Sequence, residues 1–153
     1  MYIKKISKAK QRYYKLLLIV GKHGSGKTSL LKKFQQQFQS PLINLNYEIS
    51  EKLQNVHQDE WDTKIESLIS KLSSGTDNPI LIDNTEILFS PEFHLNPLQI
   101  LKRISRTCVV IASWPGTYSN GQLVHGDIND DEYFVAKGTE IADIEICPLS
   151  GSG

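Results

Sequence analysis

Residues Gly21-Lys22-His23-Gly24-Ser25-Gly26-Lys27-Thr28 follow the spacing G-x-x-x-x-G-K-[ST], and these residue types in this order can cradle phosphate. Glycines at 21, 24 and 26 admit backbone turns closed to residues with a Cβ, so successive N–H groups can converge on phosphate oxygens. A helix opening near Lys27 and running on through Ser29 adds its own free N–H groups and its dipole. In that arrangement Lys27 is expected to bridge the β and γ phosphates of a nucleotide, and the Thr28 hydroxyl to ligate Mg²⁺. The alternative is an ordinary glycine-rich turn. The flanks favour the cradle, because Leu16 to Val20 reads as a buried strand and Ser29 to Phe34 as an amphipathic helix.

A nucleotide site of this kind needs an acid opposite Thr28. Ile80-Leu81-Ile82-Asp83 has the form of a strand ending in that acid, and Asp83 is expected to hold Mg²⁺ through water. In many such ATPases a glutamate follows the aspartate and polarises the attacking water; here the next residue is Asn84. An amide orients water but cannot take its proton, which leaves binding intact and puts hydrolysis in question. Glu48, just past the second expected strand, is the first candidate to replace that glutamate, and Glu86 the second. Ser113 ends a fourth expected strand where it could sense the γ phosphate, or simply bond to backbone. Arg103 and Arg106 could reach a phosphate of the same or a neighbouring chain, or form a solvated helix end. No Asn-Lys-x-Asp tetrad for guanine is present, so ATP is the expected nucleotide. Tyr13 and Tyr14 could stack on its adenine or pack in the core. The histidines do not cluster as a metal site would require.

Five strands are expected to carry these residues: Leu16 to Val20, Pro41 to Asn46, Ile80 to Asp83, Cys108 to Ser113 and Ile141 to Cys147. Between them lie a helix after Lys27, one broken helix or two over Ser50 to His57 and Asp59 to Leu72, and a helix over Pro97 to Arg106, the last opened by Asn96 and Pro97. Residues 73–79 and the Gly/Asn/Asp-rich stretch after Ser113 read as loops. Strands alternating with helices imply an α/β fold, a mainly parallel five-stranded sheet with helices on both faces, as in a P-loop NTPase. One domain over residues 1–150 is expected, with a basic amphipathic helix in 1–15, no C-terminal lid domain, and a tail at 151–153.

Seventeen basic and seventeen acidic residues leave no net charge in the 153-residue chain, so overall charge does not argue for nucleic acid or an anionic membrane. The distribution is uneven. Lys4, Lys5, Lys8, Lys10, Arg12 and Lys15 precede the first strand without an acid, whereas His125 to Cys147 is mostly acidic. Those N-terminal lysines are the sequence support for contact with DNA, although a basic amphipathic helix also serves as a solvated packing face. Two cysteines, Cys108 and Cys147, sit in apolar runs and read as buried thiols of a reducing compartment. No apolar run approaches the roughly 18 residues that cross a bilayer, and no signal peptide is evident. A cytoplasmic protein is expected.

The phosphate loop, the runs Asn44 to Leu53 and Leu81 to Phe89, Asn96-Pro97-Leu98, Ser105-Arg106, Trp114-Pro115-Gly116 and Glu132-Tyr133 together resemble the BrxF family, the small P-loop proteins of type 3 bacteriophage exclusion (BREX) systems. The similarity covers nearly the whole chain; the stretch around His125-Gly126-Asp127 departs from it. The resemblance implies an antiphage role in bacteria or archaea for an ATPase acting beside a DNA methyltransferase, a phosphatase-like protein, a helicase and a larger ATPase. It also implies that the pattern of Asn84 and Glu86 is normal for the family. Three functions remain open on the residues: a Mg-ATP-dependent ATPase whose site a neighbouring or identical subunit completes, a non-hydrolysing ATP switch, and a small-molecule kinase.

Overall fold

Every residue of Leu16–Gly21 is buried, which requires that this strand be covered on both faces and flanked on both edges. A computed structural model describes residues 2–72 and 77–149; part of the expected 73–79 loop and the expected 151–153 tail lie outside them. The first half comprises α1 (Tyr2–Lys10), β1 (Leu16–Gly21), α2 (Lys27–Phe38), β2 (Leu42–Asn44), α3 (Leu45–Lys52) and α4 (Trp61–Leu72). The second comprises β3 (Ile80–Asp83), α5 (Pro97–Ile104), β4 (Val110–Pro115), β5 (Thr117–Ser119), β6 (Gln122–His125), β7 (Phe134–Lys137) and β8 (Glu145–Pro148).

Five strands form one parallel sheet in the order β2-β3-β4-β1-β8. The alternation of side chains along β1 separates two cores. Leu16, Leu18 and Val20 face a core shared with α3, α4 and α5. Leu17 and Ile19 face a second core with Ile6 and Ala9 of α1 and Leu31 and Phe34 of α2. Because the strands are parallel, Gly21, Asn44, Asp83 and Pro115 all emerge at one edge of the sheet, with β4 between the strands that carry Gly21 and Asp83.

Asn96 caps α5 by accepting the Gln99 N–H at 3.1 Å, with Pro97 in the first turn, as its sequence predicts. Other boundaries differ from expectation. The second strand stops at Asn44 rather than Asn46, because the Asn44 side chain accepts the Tyr47 N–H and starts α3 at once. The helix expected from Ser50 therefore begins at Leu45, and Ile141 to Ile144 forms turns before the last strand. The Gly/Asn/Asp-rich stretch after Ser113 is not a loop; it folds as an antiparallel sheet in the order β5-β6-β7. Gly116 links it to the main sheet: its N–H donates to Gly21 O at 3.1 Å, and any Cβ there would strike the Val124 carbonyl. No helix among the described residues is long and apolar enough to cross a membrane.

Candidate functional site

The turn between β1 and α2 uses its glycines in two ways. Gly24 and Gly26 have φ of +83° and +98°, conformations that L side chains rarely adopt. Gly21 is needed for space, since a Cβ would collide with Ser25 Oγ. Gly26 is the N-cap of α2 and offers no side-chain cap, so the first-turn N–H groups point into the cleft without an intrahelical acceptor.

Lys27, the first helical residue, folds back over the loop. Its Nζ donates to Gly21 O at 2.6 Å and to Lys22 O at 3.0 Å. The side chain is buried, and this desolvation lowers the pKa of its ammonium, while the charges of Glu86 and Asp83 act in the opposite direction. At the next residue of α2, Thr28 Oγ1 donates to Asp83 Oδ2 at 2.7 Å, and the other carboxylate oxygen accepts the Asn84 N–H at 2.9 Å. Asp83 is on the α2 face because it shares the parity of Leu81 in the strand.

These groups border an open cleft of about 350 Å³, lined by His23, Gly24, Gly26, Lys27, Thr28, Ser29, Asp83, Asn84 and Glu86. Asn84 takes a left-handed conformation (φ 57°, ψ 51°) that an asparagine tolerates, and it turns the chain so that Glu86 reaches the cleft. The cleft combines a buried cation, helix N–H groups and a paired hydroxyl and carboxylate. Such an arrangement can bind an anion and a hard divalent cation together. Thr28 Oγ1 and Asp83 Oδ2 meet at 2.7 Å, two oxygen ligands of the kind that could hold Mg²⁺.

The structure brings the expected loop residues, Asp83, Asn84 and Glu86 together, but not all of the other candidates. Glu48 does not border the cleft. It lies in the first turn of α3 and pairs with Lys52 one turn on, at 3.1 Å, because the early start of that helix makes the two residues neighbours. Lys22 and Ser25 contribute to the loop's own architecture: Lys22 O accepts both the Lys27 ammonium and the Ser25 N–H, and Ser25 occupies the space beside Gly21. Ser113 is fully buried in β4, two residues before its end, does not line the cleft, and its Oγ has no hydrogen-bond partner among the described residues.

Arg106 lies at the opposite edge of the sheet, where its carbonyl accepts Lys15 Nζ at 3.2 Å and its guanidinium sits 5.6 Å from the Tyr13 ring. The length of β1, roughly 20 Å for six extended residues, separates it from the loop, so it cannot act on a phosphate held by its own chain. Arg103 is likewise occupied by Glu66 at 2.6 Å. Tyr13 and Tyr14 pack edge-on at 4.8 Å at that far edge and do not cover the cleft. Sequence reading missed Thr85: it is fully buried, and its Oγ1 donates to Ser113 O at 2.8 Å, tying the turn after β3 to β4. In a run reading Asp-Asn-Thr-Glu nothing distinguishes it from a surface threonine. Comparison of the chain with protein-family models, curated proteins and solved structures finds no match.

Proposed function

We propose that the chain is a P-loop NTPase that binds Mg-ATP in the cleft between α2 and the end of β3. The 2.7 Å contact of Thr28 with Asp83 beneath the glycine loop carries this reading, since it joins the two halves of the motif pair that sequence spacing suggested. The strand order supports the same reading, with the acid-bearing strand one removed from the loop strand. On binding, the Lys27 ammonium leaves the Gly21 and Lys22 carbonyls for phosphate oxygens, and the free N–H groups of the loop and of the first turn of α2 take the remaining oxygens. Thr28 and Asp83 would hold Mg²⁺, which when bound neutralises charge on the phosphates.

Glu86 is the carboxylate bordering the cleft in addition to Asp83, and we assign it the role of polarising water. Arg106 is left to serve a neighbouring chain. The resemblance to the BrxF family supports placing this ATPase in a phage-exclusion complex with the larger ATPase, methyltransferase, phosphatase-like and helicase components. A second reading, a switch that binds ATP without hydrolysing it, is favoured by Asn84 at the position next to Asp83 and by the exposure of Glu86. Phosphate release by the purified chain with Mg-ATP separates the two. Turnover abolished by Lys27→Ala supports the ATPase; nucleotide binding without turnover supports the switch; absence of binding contradicts both.

A further inference from the structure

Residues 1–47 contain ten of the seventeen basic side chains and none of the seventeen acids. The fold concentrates this asymmetry in space, because α1 and α2, which carry seven of those ten basic residues, cover the same face of the sheet. Tyr2 of α1 meets Phe34 of α2 edge-on at 5.8 Å, so the first turn of α1 touches α2. Lys4, Lys8 and Lys10 on α1 and Lys32 and Lys33 on α2 are exposed. Four other cations of the stretch are occupied: Lys5 donates to Ile146 O at 2.6 Å, Arg12 pairs with Glu145 at 2.6 Å, Lys15 donates to Arg106 O at 3.2 Å, and Lys27 is folded into the loop. The exposed lysines are neighboured on α2 by Gln35, Gln36 and Gln37, also exposed, which add amide donors and no opposing charge.

We infer that the α1–α2 face is a docking surface for the phosphodiester backbone of duplex nucleic acid. A face of lysines and amides matches the polar, strongly basic composition of nucleic-acid interfaces. The interior of a protein interface is instead aromatic or apolar and depleted in lysine, and Ile3 is the one large apolar side chain that α1 and α2 expose. Insertion into a lipid surface is disfavoured because Ile6 and Ala9, on the apolar side of α1, are already buried in the core. Contacts to backbone phosphates by lysines position a duplex without reading its sequence, so the binding is expected to be independent of base order. None of these exposed lysines lines the cleft, so duplex binding stands or falls separately from nucleotide binding.

The test is fluorescence anisotropy of a labelled duplex of about two helical turns, titrated with the full chain over a salt series. If Lys4, Lys8, Lys32 and Lys33 each meet a phosphate, the log–log salt slope is about −3.6, so raising salt from roughly 50 to 200 mM weakens binding about 10²-fold. The variant Lys4→Gln/Lys8→Gln/Lys32→Gln/Lys33→Gln is expected to lose that binding, and the corresponding four-arginine variant to retain it. Replacing four exposed lysines elsewhere, Lys52, Lys64, Lys71 and Lys137, by glutamine is expected to leave most of the affinity, as is Lys27→Ala. The inference is overturned if wild type does not bind at the lowest salt or if both four-glutamine variants bind alike. It is equally overturned if Lys27→Ala alone abolishes binding, which would make the phosphate loop the contact. A salt-sensitive oligomer of the chain, lost in the α1–α2 variant without any duplex binding, would give the face to a second copy instead.

Discussion

The Thr28 hydroxyl donates to a carboxylate oxygen of Asp83, 55 positions away in the chain, across 2.7 Å. Asp83 is only 6 % exposed, so the bond answers much of the need of a carboxylate held largely out of water. Thr28→Ala removes that donor and is expected to destabilise the fold by roughly 1–3 kcal/mol, the cost of an unpaired buried polar group. Asp83→Asn keeps an acceptor for Thr28 and is expected to stay closer to wild type in urea unfolding. Both variants are expected to require more Mg²⁺ for nucleotide binding, measured by titrating the metal at fixed ATP.

The loop makes a steric prediction. Gly21→Ala places a Cβ against Ser25 Oγ, and forcing the loop to move is expected to cost about 1–3 kcal/mol. Ser25→Gly opens that space, so the double variant should recover part of the loss relative to the sum of the single changes. A double-mutant cycle by chemical denaturation measures the coupling.

Much of this was legible because local signals agreed. An apolar strand, a glycine loop and an amphipathic helix succeed one another over Leu16 to Phe34, and Asn96-Pro97 marks a helix start that the structure confirms. The antiparallel sheet was missed although it carries a local sign: Asn120 and Gly121, both with positive φ, turn β5 into β6 as an Asn-Gly hairpin does. Its strands are three or four residues long, and acidic and polar neighbours hide their alternation. Glu48 ranks above Glu86 on sequence because strand ends in open α/β sheets converge on the ligand crevice, and no glycine or proline between β2 and α3 marks where the strand stops. The cap by Asn44 converts the expected strand end into a helix, and only that change places Glu48 beside Lys52. Arg106 illustrates a different limit: which edge of a sheet receives a helix end follows from the parallel topology, and spacing along the chain does not reveal it.

Glu86 and Glu48 are separable by kinetics. Under the ATPase reading, Glu86→Gln is expected to lower turnover on the order of 10²-fold, the lower end of the range for loss of a general base, with little change in ATP affinity. Glu48→Gln is expected to leave turnover near wild type, because Glu48 lies outside the cleft. Steady-state phosphate release together with equilibrium ATP binding checks both.

Lys27 links nucleotide binding to pH. Burial lowers its pKa from the ordinary 10.5, so between the lowered value and 10.5 the unfolded chain binds more protons than the folded one. Across that window Lys27 makes stability rise with pH; its charge disfavours folding below the window and the penalty is relieved as it deprotonates. Bound phosphate favours the charged ammonium and raises the pKa again. ATP binding in the same alkaline window is therefore expected to take up protons, and its affinity to fall as pH rises. Calorimetry in buffers of different ionisation enthalpy measures the uptake, and Lys27→Arg, which does not titrate there, should abolish it.

The most direct test of the central claim is calorimetric titration of the purified chain with Mg-ATP, beside Lys27→Ala. Wild type is expected to bind one nucleotide saturably, with binding weakened by roughly 1.5–3 kcal/mol in the variant through loss of charge-assisted hydrogen bonds to phosphate. Binding that is absent in wild type, or equally tight in Lys27→Ala, would contradict that claim.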